Sequence, residues 1–315
     1  MKPCFNKKPS GIGWACLLGA LSLGLMPSAR AALEVWVTLA PQTFVIERIG
    51  GDAVEAAVLV PPGRSPATYA PAPSQVTSLA GSDLLFGIGV PAERRLLERM
   101  RETLKQVRVI DSAVWRLPIP HRGAGGKHGK DDAACPGCAT SDPDGQAFDP
   151  HLWMDPLQML AFSEQVAREL SALRPTMAGT FAARAAALGE ELRALHREIE
   201  TRLRPFAGQA FFINHASLAH YAARYGLTQR SIKSPGSQPS PRRVAGMLRE
   251  AKAAGAGAIL AQPQFSRSTA DILAQALDLP VLPVDPLRRD YPANLLEITG
   301  CLEQALAPRM KEGAK

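Results

Sequence analysis

At 315 residues the chain has room for about two domains, and 46% apolar with 21% charged residues is the composition of a globular protein with a sizeable core. The formal charge of +7 shrinks once residues 1–31 are set aside: they hold Lys2, Lys7, Lys8 and Arg30 and no acid, leaving 32 bases against 29 acids, a net +3. Those bases are scattered among acids, which excludes nucleic acid as a partner. A polytopic membrane protein is excluded too, since one stretch alone, near the N-terminus, is long and uncharged enough to consider.

That stretch reads as an export signal. Lys2, Lys7 and Lys8 precede an apolar run from Ile12 to Met26, followed by Pro27-Ser28-Ala29-Arg30-Ala31. A basic start, an apolar centre and an Ala-x-Ala end predict cleavage after Ala31. The run is shorter than the ~20 residues that span a bilayer. Cleavage removes Cys4 and Cys16 and leaves Cys135, Cys138 and Cys301. Cys301, in an apolar helical pattern, is expected as a buried small hydrophobe.

Along the mature chain, Glu34 to Leu39, Glu55 to Val60, Asp83 to Ile88 and Val107 to Ile110 read as strands, with helical patterns between them such as the one beginning at Gln42 and Ala92 to Leu104. This rhythm predicts an α/β lobe with a mainly parallel sheet over residues 32–174. Met177, Phe181, Ala185, Leu188, Leu192, Leu195, Ile199 and Leu203 then recur at spacings of three and four. They predict one long, rigid amphipathic helix over residues 175–204, bounded by Pro175 and Pro205 and roughly 40 Å long. Over residues 205–315 the rhythm repeats: strands at Ala210 to Ile213, Arg230 to Lys233, Ala258 to Leu260 and Val281 to Val284, helices at Ala216 to Tyr225, Pro241 to Ala254 and Ser268 to Ala276. The fold expected is two α/β lobes bridged by that helix. A Gly-, Asp- and Pro-rich loop at 120–147 interrupts the first lobe.

Six histidines are candidates for chemistry. His196 falls among charges on the long helix and reads as solvated; His220 reads as structural. His151 sits in Asp149-Pro150-His151-Leu152-Trp153-Met154-Asp155-Pro156, a turn at a helix start. His215 and Asp285 each follow an apolar strand, where ligands bind in open α/β sheets. Two imidazoles and a carboxylate converging between lobes would make a transition-metal site; the alternative is three ordinary turn and cap residues.

The chain resembles the periplasmic zinc- or manganese-binding solute-binding proteins of metal ABC transporters, the ZnuA-like family. The resemblance rests on Ile49-Gly50-Gly51-Asp52, Leu59-Val60-Pro61-Pro62-Gly63, Pro66 to Pro73, the His151 segment, His215 with Tyr221 to Leu227, Pro239-Ser240-Pro241, Gln262-Pro263-Gln264-Phe265 and Asp285-Pro286-Leu287, in order along the mature chain. It implies two lobes with a long connecting helix, a divalent cation held between them by His151, His215 and Asp285, a periplasmic location, delivery to an inner-membrane permease, and a monomer without catalytic activity. It also implies a fourth ligand, a histidine, where this chain has Ala67. Ala70, Gln75 and Gln262 stand where acids are frequent. Tyr69 and the 120–147 loop are candidates for the missing donor. Manganese-selective relatives carry a carboxylate where this chain has His215, so zinc is the expected ion and manganese is less favoured.

The loop carries His121, His128, Cys135 and Cys138. They suit either a second tetrahedral metal site or, for the two cysteines, a disulfide in an oxidising compartment. Two other functions compete: a metal-free or altered-ligand binding or adhesion module on the same scaffold, and a zinc hydrolase. The hydrolase is disfavoured because no His-Glu-x-x-His arrangement accompanies either histidine.

Overall fold

Short apolar runs alternating with amphipathic ones build two parallel sheets, each flanked by helices. The computed structural model describes residues 31–118, 140–141, 147–232 and 240–307; the export segment and the Cys135/Cys138 region lie outside them. The first lobe runs β1 (Leu33–Val37), α1 (Ala40–Gly50), β2 (Val54–Val58), α2 (Pro73–Ala80), β3 (Leu84–Phe86), α3 (Pro91–Arg99) and β4 (Arg108–Ile110). Its four strands are parallel in the order β2-β1-β3-β4, with Val35 opposite both Ala56 and Leu84. Val35, Val37, Leu84, Leu85 and Phe86 are wholly buried, as expected of strands covered on both faces. A short antiparallel pair, β5 (Thr140–Ser141) and β6 (Ala147–Phe148), follows.

Two long helices come next, α4 (Pro156–Leu173) and α5 (Ala178–Leu203). At 26 residues α5 is about 39 Å long, and it buries the predicted stripe from Phe181 to Leu203, with Met177 packed at its edge. The expected bridging helix is therefore present, and it packs along α4, α1 and the last described helix. The second lobe comprises β7 (Ala210–Ile213), α6 (Ala219–Arg224), β8 (Thr228–Ser231), α7 (Pro241–Ala253), β9 (Ile259–Ala261), α8 (Ser268–Leu277), β10 (Val281–Pro283) and α9 (Tyr291–Leu306). Its sheet is also all parallel, in the order β10-β9-β7-β8.

The described residues from Ala32 onward form one compact unit, and one continuous apolar core runs from Val35 and Phe86 through α4 and α5 to Phe211, Ile213 and Leu260. A smaller cluster, including Phe212, Met247 and Leu273, fills the outer face of the second sheet. Among the boundaries that differ from the sequence expectation, three are instructive. The helix expected over Ala216 to Tyr225 starts at Ala219, because the Leu218 amide donates to Gln229 Oε1 at 2.6 Å and holds the residues after His215 as a loop. Strand β8 begins at Thr228 rather than Arg230, paired residue for residue with β7. Helix α3 ends at Arg99 and continues as turns to Leu104. No described helix is long and apolar enough to cross a membrane.

Candidate metal centre

The segment from Asp149 to Asp155 leads into α4 and is buried throughout. Asp149 begins it with a turn: its Oδ1 accepts from the His151 amide at 3.0 Å and lies 2.5 Å from His151 Nδ1. A carboxylate only accepts, so Nδ1 carries the proton of this bond, the carboxylate–imidazole pairing that orients metal-binding histidines. Burial alone would raise the Asp149 pKa. The charge and hydrogen bonds of His151, with the field of His220, outweigh it and hold the carboxyl below its ordinary range.

Three contacts stitch this segment to the second lobe. His220 Nε2 donates to the Asp149 carbonyl at 2.9 Å, which gives the structural role expected of that residue. Trp153 Nε1 donates to the Pro286 carbonyl at 2.8 Å. Arg224 donates through Nε and Nη2 to Asp155 Oδ2 at 2.8 and 2.6 Å, while Asp155 Oδ1 caps α4 through the Leu157 amide at 2.9 Å.

His215 follows β7. Its ring stacks on Phe265, centroids 3.9 Å apart, and meets the His151 ring edge-on at 5.5 Å. Gln262 builds the loop beneath it: the backbone amide donates to Asn214 Oδ1 at 2.9 Å, and Nε2 donates to the His215 carbonyl at 2.8 Å and Ser217 Oγ at 2.5 Å. His151 and His215 face a cavity that also takes Ala67, Val90, Gln264 and Leu287 into its wall. It offers about 20 Å³ to a water-sized occupant, against the ~10–15 Å³ one water requires. One small particle fits.

Asp285 adjoins this cavity without lining it. Its Oδ1 accepts from Gln264 Nε2 at 2.5 Å and from the Leu287 amide at 2.9 Å, so Gln264 stands in front of the carboxylate. Among the described residues no three His, Cys, Asp or Glu side chains come together closely enough to hold a metal. The structure thus unites two of the three expected ligands and sets the third one side chain back.

The wall formed by Val90 and Pro91 rests on Glu93, a buried residue that sequence reasoning missed. Its carboxylate accepts from Thr38 Oγ1 at 2.6 Å, the Ile88 amide at 2.8 Å and the Gly89 amide at 3.2 Å. Burial raises its pKa against the pull of those bonds. A Cβ at Gly87 would lie 2.4 Å from Glu93 Oε1, so any larger residue there would force this hydrogen-bonded carboxylate to shift. The one sequence signal was Gly87-Ile88-Gly89 directly after an apolar strand.

Other expectations need correction. Tyr69 is half-buried and its hydroxyl donates to Gln75 Oε1, at the start of α2, so it is turned away from the cavity and does not line it. His196 is half-covered, stacked on Tyr225 at 5.6 Å, instead of standing in solvent. Cys301 is half-buried, and its Sγ is 3.8 Å from the Pro283 carbonyl. His121, His128, Cys135 and Cys138 lie outside the described residues.

Two parallel-sheet lobes on a shared helical spine, with a one-particle donor cavity beyond their strand ends, define a two-lobed solute-binding protein. The chain belongs to the ZnuA family, described as zinc-uptake complex component A, periplasmic, whose model matches residues 35–304. It is 31% identical over 278 residues to the high-affinity zinc uptake system protein ZnuA of Paracoccus denitrificans, covering 82% of each chain. It is 25% identical to the zinc-binding lipoprotein AdcA of Streptococcus pneumoniae, covering 86% of this chain and 53% of that protein, so it spans about half of AdcA. A crystal structure of ZnuA superposes with a TM-score of 0.75 at 28% identity, over 88% of this chain and 100% of the other. The periplasmic zinc-binding protein TroA of Treponema pallidum, at 17% identity and a TM-score of 0.72 over 88% and 99% of the two chains, shares the fold.

Proposed function

We propose that this chain, exported by residues 1–31, binds one zinc ion in the cavity and delivers it as a monomer to an ABC permease in the inner membrane. The observation that carries this reading is the pair of imidazoles, His151 and His215, meeting at 5.5 Å where the lobes join. Asp285 is the proposed carboxylate of the site, one residue behind the wall. Imidazole donors favour zinc over manganese, which prefers oxygen. A two-lobed carrier needs no general base, and the site is proposed as non-catalytic. Domain limits follow the sequence: a first lobe over 32–174, the helix over 175–204 and a second lobe over 205–315. His121, His128, Cys135 and Cys138 are proposed as a separate loop site or a disulfide.

Calorimetry on metal-free protein tests the reading. One zinc equivalent at the cavity should vanish in His215→Ala and persist when residues 120–147 are deleted. Parent protein that takes up no zinc, or a His215→Ala variant that binds as the parent does, would sink it.

A further inference from the structure

Gln264 holds an unusual position. Its Nε2 donates to Asp285 Oδ1 at 2.5 Å, and a carboxylate can face only the nitrogen end of an amide, so the orientation is chemically determined. The other end of the amide, Oε1, is buried without a hydrogen-bond partner, and the residue lines the cavity of His151 and His215. A buried carbonyl oxygen left unpaired is costly, and such an atom calls for a ligand.

We infer that Gln264 Oε1 is a metal donor and takes the corner where Ala67 offers only a methyl group. This rests on the reading of the cavity as a divalent-cation site and adds a third contact to it. The arrangement repeats one theme. Asp149 is hydrogen-bonded to the His151 ring and Asp285 to the Gln264 amide, so a carboxylate stands against each of two residues that line the cavity. A carboxylate behind a donor orients it and increases its basicity. Two such carboxylates also supply two negative charges against a dication in a pocket otherwise walled by Ala67, Val90, Trp153, Phe265 and Leu287, where an unbalanced charge would be prohibitive. Amide oxygen is a harder donor than imidazole. It leaves room for zinc and lowers the preference for copper(I), which seeks soft sulfur.

The test measures zinc affinity by competition with a chromophoric chelator, and the visible spectrum of cobalt(II)-substituted protein, for the parent, Gln264→Leu, Gln264→Glu and His215→Ala. Gln264→Leu should weaken zinc binding by about 10–100-fold, the range for disturbing a metal's supporting ligands, and should shift the cobalt bands because an oxygen leaves the ion. Gln264→Glu keeps an oxygen and should retain a parent-like spectrum, which also guards against a misfolded leucine variant. Parent-like affinity and spectrum in Gln264→Leu overturn the inference. Weaker affinity with an unchanged cobalt spectrum overturns it as well, leaving Gln264 a positioning residue only. If His215→Ala binds zinc as the parent does, the cavity reading itself fails, a separate outcome.

Discussion

Replacing Arg224 by alanine tests how firmly the His151 segment is anchored. Asp155 is 2% exposed, and its Oδ2 has both Arg224 bonds, at 2.8 and 2.6 Å. Its Oδ1 is committed to the α4 cap, so the carboxylate cannot swing toward water when the guanidinium is gone. Breaking a buried pair by removing one partner costs about 3–5 kcal/mol, against about 0.2–1 kcal/mol for an exposed pair. The Arg224 side chain is 12% exposed, which favours the lower end, about 3 kcal/mol. At about 2–4 °C per kcal/mol for a protein of this size, Tm should fall by about 6–12 °C. Thermal and urea unfolding followed by circular dichroism, at 0.15 and 1 M NaCl, measures it, with Asp155→Asn and the double variant completing a cycle. A loss below about 1 kcal/mol, or one that high salt erases, refutes the reasoning: the pair would then be solvated and the segment loosely held.

Removing the carboxylate behind His151 with Asp149→Ala should lower zinc affinity about 10–100-fold while leaving stoichiometry at the cavity intact; chelator competition reads both. Ala67→His supplies an imidazole at the family's fourth position and should tighten zinc binding, and in that background Gln264→Leu should lose most of its about 10–100-fold effect, as the same titration will show. Glu93 provides a pH signature. Its folded pKa is raised above the ordinary 4.5, so the folded state holds an extra proton between 4.5 and the raised value. Stability should therefore decline as pH rises through that window, and Glu93→Gln should flatten the decline in urea melts taken across it.

The spine and sheets were legible because they depend on periodicity. Phe181 to Leu203 repeats at helical spacing, and strands such as Ala210 to Ile213 are short apolar runs closed by polar residues. His151 and His215 were legible as a pair because strand ends and Asp-Pro turns mark where a chain exposes polar groups. What escaped were contacts that no local pattern encodes. Gln264 and Asp285 are 21 residues apart and meet only because β9 and β10 lie side by side. Glu93 reads as one charge among several in a helix of Arg and Glu, and only the fold sinks it beneath the Gly87–Gly89 turn. Tyr69 looked available as a donor until α2 placed Gln75 against its hydroxyl. His196 shows the converse error, since Tyr225 comes from another element to cover a position that its neighbours on α5 mark as wet.

The three links that sew Asp149–Asp155 to Arg224, His220 and Pro286 have a mechanical outcome. Though His151 precedes α5 in the chain, its segment is pinned to the later half of the molecule, while α4, into which it leads, packs on α1 and α5. The two rings are thus set in one joined framework, and Pro66, Ala67, Val90 and Pro91 complete the cavity wall with apolar side chains.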